Sequence, residues 1–262
     1  MEQTAMDRTA EERDLIAACY TRLARKGFFT DRLGGNEQYA GGLMLDSIPM
    51  DATSILEIGG GTGLFMEWVL RARPNIQEVF AVEISDMAIT YHSRVNAVMT
   101  HRGGTCMVKQ KDFLEVLKEL PQCEVVVSSF VAAYMGDPTD YLNMLGDLTA
   151  PGGVVIALDE IRNAGDANLA KMLQSVGMIY SAHLRGHRLP PFLGLARSSR
   201  LNKLYTDPDF KTLEAIYGDN VLSLEGWMTE AQRFPDSHFT NLGMAALLVF
   251  PRRQQSDGAY LS

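Results

Sequence analysis

Short apolar runs and longer amphipathic stretches alternate along most of this chain. The apolar runs have the length of buried strands, and the stretches between them repeat their apolar residues every three or four positions, as helices do. The predicted strands are 55–58, 77–83, 105–110, 123–129 and 152–159, and the predicted helices between them are 64–72, 86–101 and 138–149. This alternation predicts an α/β fold with a Rossmann-like, doubly wound and mostly parallel sheet and helices on both faces.

Two regions flank the alternating core, and we treat residues 1–262 as a single domain. Residues 1–50 are a predicted N-terminal helical extension, in which Thr9 and Glu12 have the spacing of a capping box. The helix that follows carries on one face the apolar residues Leu15, Ile16, Cys19 and Leu23. It could pack against the domain, cover a ligand cleft or meet a partner subunit. Residues 161–235 are predicted to be a helical lid insertion, and the apolar segment 238–251 should supply the last strand or strand pair.

The turn after the first predicted strand is the most distinctive segment. Glu57 lies within the apolar run, and glycines follow at positions 59, 61 and 63 before a helix begins at Leu64. A strand that turns tightly into a helix directs free amide N–H groups at the turn, and glycine lets a polar ligand approach the backbone closely. A nicotinamide fingerprint would need glycine or alanine at position 64, so Leu64 argues against a nicotinamide-dependent oxidoreductase.

Further landmarks follow this turn in order. The second predicted strand ends at Glu83, the third leads into Asp112, and the fourth ends in Ser128 and Ser129. Pro151, Gly152 and Gly153 then precede the fifth. Over residues 50–160 and the C-terminal strand region, this series resembles the class I S-adenosylmethionine-dependent methyltransferases, small-molecule type.

The resemblance implies that S-adenosyl-L-methionine is the cofactor and assigns parts of its site. In this family an acid at the end of the second strand binds both ribose hydroxyls, which implies that role for Glu83, with Ile84 beside it. An acid and an apolar side chain after the third strand hold the adenine, which implies Asp112 and Phe113. The other positions implied in the cofactor site are Glu57, Gly59, Gly61, Gly63, Ser129 and Tyr39.

The residues themselves leave alternatives open at three of these positions. Glu57 could support the turn from behind instead of touching a ligand. Asp112 could cap a helix that begins at Phe113. Tyr39 could be a packed aromatic residue.

Composition narrows the setting. The net charge of −8 argues against a nucleic-acid partner, because such proteins neutralise phosphates with a basic surface. The cysteines Cys19, Cys106 and Cys123 have no C-x-x-C spacing, so we expect reduced core residues and no metal. We find no secretory leader and no apolar run of membrane-spanning length, which makes a cytoplasmic location the expectation. The apolar face of the first helix leaves a homodimer possible.

The predicted lid has an unusual charge distribution. From position 167 to 206 there is no Asp or Glu, although the chain is acidic overall. Arg188, Arg197 and Arg200 lie in this segment and are candidates for a carboxylate or phosphate clamp, because a guanidinium pairs bidentately with either group. The alternative is a solvated basic face or a subunit interface.

Methyl transfer needs an acceptor held against the methyl group in a site without water, and a general base helps when the acceptor is a hydroxyl or an acidic carbon. Candidate bases and acids are Asp159, Glu160, Tyr134 and His183. The sequence therefore predicts a methyltransferase that acts on a small, anionic metabolite. A methyltransferase-fold protein without turnover and a nicotinamide-dependent oxidoreductase are the alternatives.

Overall fold

The computed structural model describes residues 9–28, 35–162, 203–204, 206–217, 220–242 and 245–252, with the main chain alone for 35–39. The helices are α1 (Ala10–Arg25), α2 (Gly35–Asp46), α3 (Leu64–Ala72), α4 (Met87–Arg102), α5 (Phe113–Val116), α6 (Pro138–Asp147), α7 (Pro208–Tyr217) and α8 (Leu224–Arg233). The strands are β1 (Ser54–Ile58), β2 (Glu78–Val82), β3 (Thr105–Lys109), β4 (Cys123–Ser129), β5 (Thr149–Glu160), β6 (His238–Asn241) and β7 (Ala245–Pro251).

These strands form one seven-stranded sheet in the order β3-β2-β1-β4-β5-β7-β6. Strands β1 to β5 pair in parallel, whereas β7 runs antiparallel to both β5 and β6. The predicted α/β class and mostly parallel sheet are confirmed, and the apolar segment near the C-terminus supplies a strand pair.

Helices cover both faces of the sheet because successive strand side chains point to opposite sides. On one face, Leu56 and Ile58 of β1 pack with residues of α1, α5, α6, α7 and α8. On the other face, Ile55 of the same strand packs with residues of α2, α3 and α4. The central strand β1 is therefore covered on both sides by described helices, and its carboxyl end is where a ligand can reach it.

Helix α1 lies against the main domain. Its first turn has the predicted capping box, in which Thr9 Oγ1 accepts from Glu12 N–H and the Glu12 carboxylate accepts from Thr9 N–H. Ile16, Cys19 and Leu23 are buried, whereas Leu15 is 41% exposed, so the buried stripe is narrower than the sequence suggested. Arg22 Nη2 lies 2.7 Å and Lys26 Nζ 2.8 Å from the Asp209 carboxylate of α7.

Part of the predicted lid segment is described. Leu213 of α7 and Trp227 of α8 are buried in the core, and Trp227 Nε1 donates to the main-chain oxygen of Glu160 at 3.0 Å. Among the helices that the structure describes, none has the length and apolar character needed to cross a membrane. That residues 161–235 form a lid stays a prediction.

Candidate active site

A cleft opens at the carboxyl ends of the parallel strands, where open α/β sheets bind ligands. The volume of this cleft is about 830 Å³, which includes the solvent-filled space at its opening. Of the residues predicted for the cofactor and acceptor sites, those that line it are Gly59, Gly61, Glu83, Ile84, Asp112, Phe113, Ser129 and Tyr134. Sequence segments far apart in the chain thus meet at one edge of the sheet.

The glycine turn forms the floor of this cleft. Gly59 has a φ of +74°, and a Cβ there would lie 2.5 Å from Val131 Cγ2 and 2.9 Å from the main-chain oxygen of Ser129. Gly61 also has a positive φ, yet a Cβ there would meet nothing within 4 Å because it would project into open space. Gly63 begins α3, and its Cβ would lie 3.0 Å from the Tyr91 ring, away from the cleft wall.

Glu57 lies behind this turn and is not part of the cleft wall. The alternation of β1 directs its side chain toward the apolar α3 and α4 face, where it is 2% exposed and accepts from the Tyr91 hydroxyl at 2.7 Å. Burial raises the pKa of Glu57 to about 8, against the partial opposing effect of the Tyr91 hydrogen bond. The placement matches the support role that the sequence left open.

Glu83 ties the end of β2 to the glycine turn. Its Oε2 accepts from Gly61 N–H at 2.9 Å, and its Oε1 accepts from Ser85 N–H at 2.9 Å and from Ser85 Oγ at 2.7 Å. Three donors thus fix a carboxylate that is 5% exposed and lines the cleft. A carboxylate has about four acceptor positions, so about one remains for a hydroxyl group of a ligand in the cleft.

Asp112 and Phe113 close the cleft beyond β3. Asp112 Oδ1 accepts from Leu114 N–H at 2.9 Å and caps α5, and the same residue lines the cleft. The two roles considered from the sequence are therefore compatible in space. Phe113 packs edge-to-face on Tyr141, and with Ile84 it gives this end apolar walls. An apolar slot with one acid at its rim fits a flat heteroaromatic ring that carries an amino group.

The loop after β4 forms the opposite wall. Phe130 has a φ of +59°, which is uncommon for a large side chain, and its N–H donates to the Leu158 oxygen at 2.8 Å. Asp159 is 3% exposed and accepts from Ala132 N–H at 2.6 Å and from Glu160 N–H at 2.8 Å. Burial raises the pKa of Asp159 to about 7. Its carboxylate therefore holds the loop in place and does not line the cleft.

Tyr134 stands at this wall beside two other tyrosines. Its hydroxyl lies 2.7 Å from the Tyr20 hydroxyl of α1, and its ring centroid lies 4.4 Å from that of Tyr217 in α7. Burial raises the pKa of all three phenols, and the charge of Glu160 raises those of Tyr217 and Tyr20 further. Glu160 lies close to this cluster but outside the cleft wall.

Several residues predicted for the site lie outside the part of the chain that the structure describes. His183, Arg188, Arg197 and Arg200 lie outside the described residues, and the side chain of Tyr39 does as well. Their roles stay predictions. Within the part of the chain that the structure describes, no group of three His, Cys, Asp or Glu side chains could hold a metal ion.

Some wall residues were not assigned to the site from the sequence, although covering a ligand cleft was one of the roles left open for the helix that carries Ile16. Ile16 and Tyr20 of α1 line the cleft, as do Phe130 and Val131 after β4. Ile16 and Tyr20 are four positions apart, so they share a helix face, and this spacing could have indicated them. No sequence signal predicted the positive φ of Phe130.

Comparison with known proteins agrees with this geometry. Residues 56–155 match the family model described as a methyltransferase domain. No match to a curated protein sequence reaches significance.

Solved structures share the fold at low identity. The plantazolicin methyltransferase BpumL, solved with a monoazolic desmethylPZN analogue and SAH, is 10% identical, with a TM-score of 0.55 over 93% of this chain and 97% of that chain. The related BamL complex is 9% identical, with a TM-score of 0.53 and the same coverage of both chains. The mitomycin 7-O-methyltransferase MmcR is 14% identical, with a TM-score of 0.49 over 82% of this chain, which spans 53% of the length of MmcR.

The matched segment contains β1 through most of β5, the part of the chain that carries the glycine turn, Glu83 and Asp112. Residues 56–155 are thus similar to a methyltransferase domain, and the seven-stranded sheet belongs to a fold that the chain shares with BpumL and BamL.

Proposed function

We propose that this protein transfers a methyl group from S-adenosyl-L-methionine to a small metabolite, an anionic one that bears a carboxylate or phosphate. The observation that carries the cofactor part is the Glu83 carboxylate, which three donors fix at the cleft beside the glycine turn. When bound, the cofactor supplies an electrophilic methyl carbon on a sulfonium. The residues of this chain then have to orient the acceptor and exclude water.

The order of the strands supports an orientation for the cofactor. Glu83 and Asp112 follow β2 and β3, at one side of β1, whereas Ser129 ends β4 and Tyr134 follows it, on the other side. With the ribose at Glu83 and the adenine near Asp112, the methyl group would face the wall formed by Ser129 and Tyr134. BpumL and BamL are plantazolicin methyltransferases that were solved with desmethylPZN analogues, which favours a small-molecule acceptor.

Support for an anionic acceptor comes from the sequence. The stretch 167–206 lacks acids and contains Arg188, Arg197 and Arg200, three candidates for a clamp on a carboxylate or phosphate. In the cleft wall that the structure describes, the charged residues are Glu83, Lys111 and Asp112. Both acids lie at the proposed cofactor end of the cleft.

Calorimetry and a labelled assay test the proposal together. Calorimetry comes first, with S-adenosylhomocysteine and, as the control ligand, a nicotinamide dinucleotide. Methyl-labelled S-adenosylmethionine is then incubated with a panel that contains 4-hydroxybenzoate and 4-hydroxybenzamide, a pair that differs in charge but not in ring or hydroxyl. We expect S-adenosylhomocysteine to bind and label to appear on anionic members of the panel.

Each outcome has a distinct meaning. Binding of the dinucleotide alone would overturn the cofactor assignment in favour of an oxidoreductase. Equal or greater labelling of neutral compounds would overturn the anionic acceptor. Tight binding of S-adenosylhomocysteine with no labelled product from a broad panel would favour a protein without turnover. Light scattering on the same preparation checks the predicted possibility of a homodimer.

A further inference from the structure

The acceptor end of the cleft is apolar except for a small number of hydroxyl groups. The wall around Tyr134 contains Val131 and Met135, and Tyr20 of α1 lines the same cleft with its hydroxyl against that of Tyr134. In a ligand site of this kind, a few polar groups in an apolar wall fix the orientation of the ligand. The two phenols are therefore the natural candidates for that task.

The two hydroxyls are held together from opposite directions. Tyr20 comes from α1 and Tyr134 from the 3₁₀ turn Ala132–Tyr134, and their oxygens lie 2.7 Å apart. Asp159 fixes that turn through Ala132 N–H, while the ring of Tyr217 packs on Tyr134 and the two side chains share a hydrogen bond. The pair is thus preorganised, because neither ring can move without disturbing a buried neighbour.

The chemistry of the pair suits a hydrogen bond to a neutral hydroxyl. Each phenol has one proton and two lone pairs, and either oxygen can be the donor in the shared bond. Burial raises the pKa of both hydroxyls, so they stay protonated at neutral pH and act as hydrogen-bond partners, not as bases.

We propose that the paired hydroxyls of Tyr20 and Tyr134 seat the acceptor's reacting hydroxyl by hydrogen bonding, so that its oxygen faces the methyl end of the cleft. This inference rests on the proposed function and names the reacting group of the acceptor, an aromatic or aliphatic hydroxyl. A bound hydroxyl joins the existing pair, and its orientation follows from two fixed oxygens instead of one.

Phenol and toluene are the probes for this seat, because they share a shape and differ only in the hydroxyl. Protein saturated with S-adenosylhomocysteine is titrated with each compound, and the Kd values are read from NMR shifts. We expect phenol to bind about tenfold more tightly than toluene, the usual effect of one hydrogen bond in an apolar site. In Tyr20→Phe and in Tyr134→Phe the preference should fall below about threefold, and the double variant should lose little more.

Tyr141→Phe is the matched control. Tyr141 is also a buried phenol with a hydroxyl partner, Ser128 at 2.7 Å, but it lies outside the cleft wall, so the preference for phenol should persist. Thermal unfolding checks that each variant is folded, and Tyr20→Phe, at a half-buried site, carries the test if Tyr134→Phe fails to fold.

Three results would overturn the seat: no preference for phenol, a preference that survives Tyr20→Phe, or an equal loss in Tyr141→Phe. Calorimetry with S-adenosylhomocysteine separates this failure from that of the proposed function. If that ligand does not bind, the proposed function falls and the seat falls with it. If it binds and phenol is not preferred, only the seat is overturned.

Discussion

The two ends of the cleft are built in different ways. At the proposed cofactor end, Gly61, Glu83 and Asp112 each lie within three residues of the end of a strand, and main-chain N–H groups fix both carboxylates. At the acceptor end, Tyr134 depends on side chains of Tyr20 and Tyr217, which belong to helices at opposite ends of the chain. Local sequence thus determines one end, whereas tertiary packing determines the other, which leaves the acceptor end free to change without loss of the cofactor site.

Gly59 is the point where the two ends meet, and its substitution should have the largest effect. In Gly59→Ala the new Cβ would meet Val131 at 2.5 Å and Ser129 O at 2.9 Å, in addition to the strain of a φ of +74°. We expect the free energy of unfolding to fall by roughly 2 to 5 kcal/mol. Urea unfolding measures it.

Gly152→Ala is the control for that substitution. Gly152 has a similar φ of +80°, but a Cβ there would meet nothing within 4 Å. Gly152→Ala should lower the free energy of unfolding only by the cost of the positive φ, about 1 to 2 kcal/mol. Equal losses in the two variants would show that contact with the acceptor wall is not what requires glycine at position 59.

Glu57 should make stability depend on pH without affecting the cleft. Its pKa in the folded protein is about 8, above the ordinary 4.5, so the folded state holds the proton more tightly than the unfolded state. Stability should therefore fall as pH rises from 4.5 toward 8, by at most about 1.4 kcal/mol per pH unit.

Glu57→Gln removes this dependence and keeps an acceptor for Tyr91. The unfolding free energy of the wild type minus that of Glu57→Gln should decrease as pH rises across that range. The raised pKa of Asp159 acts in both proteins and cancels in the difference. A difference that stays constant with pH would contradict a protonated Glu57.

Glu83→Ala tests the cofactor end alone. It removes a carboxylate that lines the cleft and leaves the N–H groups of Gly61 and Ser85 without their acceptor. Calorimetric affinity for S-adenosylmethionine should weaken by roughly 1 to 3 kcal/mol. Glu57→Gln, on the neighbouring strand but behind the turn, should bind as wild type does. Unchanged affinity in Glu83→Ala would refute its assignment to the ribose.

Asp159→Asn tests the acceptor end and should have the smallest effect. Each oxygen of the Asp159 carboxylate accepts a hydrogen bond from a main-chain N–H group. The side-chain amide of asparagine would therefore place its own N–H group against one of these donors. We expect a loss of about 1 to 2 kcal/mol in unfolding free energy, with binding of S-adenosylhomocysteine unchanged. Asp137→Asn is the control, because asparagine caps a helix about as well as aspartate does. Weakened cofactor binding in Asp159→Asn would show that the two ends are coupled.

The sequence predicted the parts of the molecule that depend on neighbouring residues. The ends of β4 and α3 agree with the predicted limits 123–129 and 64–72, because apolar runs and the glycine turn are local signals. Tyr20 and Tyr217 were not predicted to meet Tyr134, since their contact depends on how α1 and α7 pack. Strand alternation places the Glu57 side chain on the face of β1 opposite Leu56 and Ile58. The sequence contained this signal, but the family resemblance led us to count Glu57 among the cofactor-site residues.

The internal position of β7, between β5 and the edge strand β6, has a consequence for synthesis. β7 lies between β5 and β6 although it follows both in the chain, and it pairs with β5 from Val154↔Pro251 to Glu160↔Ala245. Until the ribosome has released this strand, the growing chain presents β5 as an open, apolar edge, which is a template for pairing with other chains. Chains that stop before Ala245 should therefore aggregate and require chaperones, even though they contain the whole glycine turn and Glu83.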